Sequence, residues 1–382
     1  MRIIFFLTAI VVIFGINGYV YIRGLQALPS VLWVKIVYSL LFWSLILTFI
    51  LRMYYGDKLP GRLSELLSAV GFPWIVAVIY IAIFCLCLDI IRIVNYYFDI
   101  YPLWIKGDYN TVKLIVMGVA VVGISLILTR GSYRFNHPDR TEIEIALDKV
   151  LPEEGVKLVL VSDIHLSSSI NSKQLSRYIE MINEEEADVV LIVGDLVDRD
   201  IEPLLKWNIG ERLSSIRSKY GVYFVSGNHE FYGGTRVQIV DYLRSSGINV
   251  LIDSVAVAGD LLVIAGRDDR TNARRKELGA LLDGIDCSKP LILLDHQPFH
   301  LGEAEAAGVD LQLSGHTHNG QFWPGNLIVK MIYELPYGYM QKGRAHYYVT
   351  SGLGLWGPKF RIGTKSEMVV IMLQQVTNIN QI

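Results

Sequence analysis

Five clusters of polar residues in the second half of this chain each follow a short apolar run, and their residue types are those of metal ligands. The first closes KLVLVSDIH and holds Asp163 and His165. Two apart on an extended segment, these side chains share a face. A carboxylate and an imidazole aimed together suit a divalent cation. D-x-H alone is a common accident, and repetition gives it weight. DVVLIV ends in Gly194-Asp195-Leu196-Val197-Asp198-Arg199, and VYFV ends in Ser226-Gly227-Asn228-His229-Glu230. LILL ends in Asp295-His296, and VDLQL ends in Ser314-Gly315-His316-Thr317-His318. Together these offer too many ligands for one ion and a fitting number for two adjacent ones.

From about residue 135 the chain alternates strand-like and helix-like segments. EIEIAL (142–147) alternates at period two, and SKQLSRYIEMINEEE is amphipathic, with Ser172 as its cap. Helices are expected around 203–218, 235–246 and 273–283, and further strands near 260–265, 346–350 and 368–373. Such an order gives a largely parallel or mixed sheet, which gathers its site at the carboxyl ends of the strands. Asp268, Asp269 and Arg270 read as a solvated turn, with the lining of the site mouth as the alternative. Trp323–Met340 reads as core packing or as an apolar surface laid against a bilayer. His137, His300 and His346 read as structural.

In this order the motifs resemble the calcineurin-like metallophosphoesterase superfamily, with its D-x-H, GD-x-x-D, GNH-[DE], lone His and GH-x-H. GHTHNGQFWP and YYVTSGLGLWGPKFRIG are similar to its membrane-anchored bacterial branch, in which glycine is commoner at the place of Asn319. The resemblance covers roughly residues 150–373. It implies that Asp163, His165, Asp195 and His318 hold one divalent ion and that Asp195, Asn228, His296 and His316 hold a second, Asp195 bridging. It also implies that His229 protonates the leaving group, that Asp198 orients its imidazole, and that Arg199 holds a phosphate oxygen. Manganese, iron, zinc and nickel all suit such ligands.

Apolar residues make up 52% of the chain, and the excess lies before about residue 130. Four stretches, near 3–22, 31–51, 72–91 and 112–129, reach the roughly 20 residues that cross a bilayer. No small-x-small cleavage site follows the first, so it reads as an uncleaved span rather than a signal peptide. PGRLSELLSAVG reads as a short surface helix, and NYYFDIYPLWIKGDYN as an aromatic belt. Asp89 and Arg92 are spaced to pair on a helix. Arg2, Arg52, Lys58, Arg62, Arg130 and Arg134 outnumber the basic residues of the opposite side. Both termini and the catalytic domain are therefore expected in the cytoplasm of a bacterial cell membrane protein. The net charge of −2 gives no basic field for nucleic acid. Three cysteines, read as small buried hydrophobes, form no disulfide framework.

The expected fold class is α/β: a four-layer αββα sandwich over residues 134–382 behind a four-helix transmembrane domain over 1–133. The expected function is hydrolysis of a phosphodiester or pyrophosphate bond, with the bilayer and a lipid-linked phosphorylated substrate as partners. UDP-2,3-diacylglucosamine-type lipids are what the resemblance implies. The alternatives are a broad phosphomonoesterase and a non-catalytic phosphate sensor; the latter would have lost ligands or His229, and neither loss is present.

Overall fold

The structure, a computed structural model, describes residues 2–56, 59–167 and 170–376, with side chains from residue 11 onward. It forms two compact units that divide between Ser132 and Tyr133.

The first unit is helical: α1 (Arg2–Ala27), α2 (Leu32–Tyr55), α3 (Gly61–Phe98), α4 (Leu103–Gly107) and most of α5 (Tyr109–Asn136). Three helices among the described residues, α2, α3 and α5, are long and apolar enough to cross a membrane. The side chains of residues 3–10, the first part of the span expected at 3–22, are not described, nor is that of Arg2; Lys58 is also outside the described residues. The separate surface helix expected from PGRLSELLSAVG does not form. It is the opening of the 38-residue α3, because apolar residues continue through it and no break intervenes before Phe98; Pro73 is accommodated inside. Gly71 lets α2 and α3 approach, since a Cβ there would lie 2.6 Å from the Phe49 Cα. Asp89 pairs with Arg92 and also with Arg23 of α1, both at 2.6 Å. Cys87 and Cys287 are exposed and Cys85 is half-buried, against the expectation of burial.

In the second unit, β1 (Asp139–Leu147), β12 (Glu367–Gln375), β2 (Val156–Val161), β3 (Val189–Val193), β4 (Val222–Val225) and β5 (Asn249–Leu251) form one sheet, in that order. The other sheet runs β10 (Gly338–Lys342), β11 (Ala345–Val349), β9 (Leu311–Ser314), β8 (Leu291–Leu294), β7 (Leu262–Gly266), β6 (Ser254–Ala258). Alternation decides what each face meets. Leu158, Leu160, Val189 and Leu191 pack with Ile264, Ile292, Leu294 and Leu313 between the sheets. Val159, Val161, Val190 and Ile192 face the outer helices, packing with side chains of α6 (Ser172–Glu184), α8 (Ile209–Leu213) and α9 (Arg236–Ser245). On the far side, Val263, Leu291 and Leu293 pack on α10 (Leu278–Leu281) and α11 (Leu301–Ala306). The result is the four-layer α/β sandwich.

Helices are shorter than the sequence periodicity suggests. The 203–218 segment splits into α7 (Glu202–Lys206) and α8 because Asn208 between them is left-handed. Within 273–283 only the single turn α10 forms. Asn272 ties the Arg274 amide into a turn, and Arg275 is drawn to Asp295. Asn171, not Ser172, caps α6, accepting from the Lys173 and Gln174 amides.

Candidate metal centre

The strands β2, β3 and β4 run parallel in one sheet, and β7, β8 and β9 in the other. Register brings their carboxyl ends level: Val161 pairs with Ile192, Val193 with Val225, and Leu294 with Leu313. The loops that leave these ends carry the polar clusters.

The extended D-x-H geometry expected from spacing is not what the chain adopts. β2 ends at Val161, and Asp163 and His165 both have positive φ, 55° and 52°. Asp195, His316 and His318 share this left-handed region. Non-glycine residues seldom enter it, and such strain concentrates at functional sites. Each loop curls as it leaves its strand, which turns the donor atoms inward. The adjoining glycines leave the room. A Cβ on Gly227 would collide with Asp195 Oδ1, and one on Gly194 with the His296 ring.

Donor atoms of Asp163, His165 and His318 lie within 4.8 Å of one another, and so do those of Asp195, His296 and His316. Asp195 Oδ2 is 3.8 Å from His165 Nε2 and 3.1 Å from His296 Nε2, so one oxygen faces both groups. Asn228 joins through its Oδ1, 2.8 Å from His316 Nδ1, while its amide nitrogen donates to the Tyr232 hydroxyl at 2.7 Å. His229 also lies within 4.8 Å of the His165 and Asp195 donors.

The hydrogen bonding fits divalent ions. His296 is fully buried; its Nδ1 is 2.8 Å from the Val193 carbonyl and its Nε2 has no hydrogen-bond partner. Burial opposes charge on this ring, yet Asp195 raises it well above its ordinary range; with Nδ1–H given to the carbonyl, Nε2 is the atom whose proton a metal would displace. Burial, reinforced by the His296 charge, pushes the His316 imidazole down to about 4. Burial with nearby His165 holds His318 well below its ordinary range. Both are therefore neutral, as ligation requires. Burial would raise the Asp195 carboxyl, but His296 beside it holds it well below the usual carboxylate range.

His229 Nδ1 sits 2.7 Å from the Asp198 carbonyl oxygen. The Asp198 carboxylate is 3.4 Å from both His229 Nδ1 and His165 Nδ1. Burial opposes a charged imidazole, yet Asp198 and Asp195 push His229 up to about 9. Arg199 follows on the same loop with an exposed side chain.

Three positioning residues were not assigned from sequence. Buried Glu230 accepts from the amides of Asp195, Val197 and Gly227, at 2.7–3.2 Å, and so braces two site loops. Each of these amides would cost ~1–3 kcal/mol if left unpaired. Arg361 is buried and donates to the carbonyls of His318, Ser351, Gly352 and Gly354. Burial lowers its guanidinium only to about 10, so it stays charged. Its signal was the PKFRIG stretch. Asp269 is the third: the stretch read as a solvated turn is buried at both Asp268 and Asp269. Arg236 and Asn272 hold Asp268, and Gln297, next to His296, holds Asp269. Acid-rich sequence suggested solvent; these partners satisfy the carboxylates instead.

Residues 156–320 match the family described as calcineurin-like phosphoesterase. A Helicobacter pylori metallophosphoesterase is 31% identical over 84% of this chain and 85% of its own length. One from Campylobacter jejuni is 29% identical over 96% and 97%. A Danio rerio transmembrane protein with metallophosphoesterase domain is 32% identical over 71% and 64%. With apolar helices of spanning length in the same chain, this is a membrane protein, and by these relationships it belongs to the calcineurin-like metallophosphoesterases, metal-dependent hydrolases of phosphoester bonds.

Proposed function

We propose that the chain hydrolyses a phosphodiester or pyrophosphate bond of a lipid-linked substrate taken from the bilayer surface. The observation that carries the lipid assignment is α12 (Gly325–Ile332), which buries none of its residues and exposes Leu327, Ile328, Met331 and Ile332. Within Trp323–Met340, Leu335 is buried and supports core packing, while the exposed helix supports the bilayer-facing reading. The helix leads into Tyr333, whose ring centroid is 6.1 Å from that of His316. An apolar face so close to the candidate metal centre, in a membrane protein, suits acyl chains beside a phosphorylated headgroup.

In this reading Asp163, His165, Asp195 and His318 hold one divalent ion, and Asp195, Asn228, His296 and His316 hold the other. Manganese is a suitable occupant of this oxygen and nitrogen set. Bound there, such ions supply positive charge to the phosphoryl oxygens and lower the pKa of water. The protein's own groups do the rest. The Asp198 carbonyl fixes the His229 ring, so that Nε2 can give a proton to the departing oxygen. The Asp198 carboxylate balances the imidazolium, and Arg199 steadies a phosphoryl oxygen. We place residues 1–133 in a bacterial cell membrane as four spans, with both ends and the hydrolase domain, residues 134–382, on the cytoplasmic side.

The test is cleavage of UDP-2,3-diacylglucosamine in mixed micelles, compared with bis-p-nitrophenyl phosphate, by the full chain and by its Ile328→Glu/Met331→Glu variant. The expected result is lipid cleavage whose KM rises about tenfold in the variant relative to that for the soluble diester; two apolar side chains of this size supply at least that much. Cleavage of the soluble diester with none of the lipid would sink the lipid-linked assignment.

A further inference from the structure

The loop after β7 carries a cation whose surroundings differ from those of its neighbours. Arg267 is paired with Asp295 and Glu303, Arg275 with Asp295, and Arg236 with Asp268. Arg270 has no carboxylate within 4.0 Å among the described residues. It is half-buried, and its Nη1 is shielded from solvent without a hydrogen-bond partner. A guanidinium keeps its charge at any physiological pH, so a buried donor of this kind is held ready for an anion or wasted.

Its position favours the first. Arg270 lies over the Phe299 ring, with Cζ 4.5 Å from the centroid. Phe299 packs on Tyr333 at 4.7 Å, and Tyr333 lies against His316. Phe299 is also three residues after His296, a separation the backbone cannot stretch beyond about 11 Å. The backbone beneath Arg270 is held as well, since Gln297, between His296 and Phe299, grips the neighbouring Asp269 through both carboxylate oxygens. The guanidinium is thus fixed to the same loop that supplies His296. It stands on the side of the centre from which α12 extends.

We propose that Arg270 binds a second phosphoryl group of the substrate, the one not being attacked at the metal centre, so that the chain selects pyrophosphate-linked over singly phosphorylated molecules. The planar fork of arginine matches two phosphate oxygens at once, and stacking on Phe299 fixes its plane. This rests on the reading of the centre as a phosphoester hydrolase and narrows its substrate to the nucleoside-diphosphate type.

ADP and AMP differ by one phosphoryl group and serve as probes. Their Kd values for the manganese-loaded full chain in detergent are measured by titration calorimetry, together with bound metal, for the wild type, Arg270→Gln and Arg270→Lys. The expected wild-type preference for ADP is at least about tenfold, the scale of a charge-assisted hydrogen bond. Arg270→Gln should bring the two nucleotides to within about twofold, and Arg270→Lys should restore part of the preference, as a point charge without the fork. Chelation of manganese by ADP is common to all three proteins and cannot produce this pattern. An unchanged preference in Arg270→Gln, or none in the wild type, would overturn the proposal. If Arg270→Gln loses its metal, the lysine variant decides, a preference equal to wild type counting against the fork. An ADP preference that depends on Arg270 in a protein that cleaves no phosphoester would contradict the hydrolase reading and leave this one standing.

Discussion

Asp195→Asn should lose bound metal, and its turnover should fall by more than the ~10–100-fold that loss of an outer-shell partner costs. The substitution preserves shape. Asparagine can still accept from the His229 amide, which now donates to Oδ1 at 2.9 Å. What it removes is the negative charge on the oxygen that faces both His165 and His296. Asp195 is buried, so no water makes up for that charge, and two cations cannot be held close together without an anion between them. Metal content by elemental analysis reads the effect directly, and melting temperature on the same sample separates it from unfolding. Full metal occupancy in Asp195→Asn would remove the bridging assignment.

His229→Ala should do the reverse: metal retained, kcat lower by about 10²–10⁴, the usual span of general acid catalysis. The reason lies in the ring's surroundings. Asp198 and Asp195 favour the protonated imidazole against the effect of burial, and the Asp198 carbonyl fixes the ring from one side. The loss should depend on the leaving group. A nitrophenolate departs without a proton, whereas an alkoxide does not, so the defect should be much larger for an alkyl diester than for bis-p-nitrophenyl phosphate. Equal defects on both would count against a proton donor and favour a role in positioning. A near-normal rate on the alkyl diester would remove His229 from the chemistry.

The sheets and the convergence of the candidate site were legible in the sequence for a simple physical reason. A fully buried strand is an unbroken apolar run, so any polar cluster that ends it must lie at a sheet edge. KLVLV, DVVLIV, VYFV and LILL obeyed this, whereas VDLQL ends on the same side although it carries buried Gln312 within β9. Backbone hand was not legible. The spacing of Asp163 and His165 suggested an extended segment, and the chain instead places both at positive φ. Only contacts across the loops, such as the Asp163 carboxylate accepting from the His316 amide at 3.1 Å, stabilise that conformation. Tertiary partners also decided the fate of Asp268 and Asp269. Their charge suggested solvent, yet Arg236, Asn272 and Gln297, distant or unremarked in sequence, make burial tolerable. The short helices failed for a local reason, with Asn208 interrupting one segment and Asn272 holding the start of the other in a turn. In the membrane unit the error ran the other way. Charged residues near Arg62 and Glu65 suggested a surface helix, but nothing there stops α3.

The measurement that bears most directly on a two-metal phosphoesterase is hydrolysis of bis-p-nitrophenyl phosphate by the purified, detergent-solubilised full chain with manganese, before and after chelation. Cleavage that disappears with the metal and returns when manganese is restored is the result expected of the centre formed by Asp163, His165, Asp195, Asn228, His296, His316 and His318. Cleavage that survives complete removal of metal would contradict it, and so would a fully metal-loaded protein that leaves the diester intact.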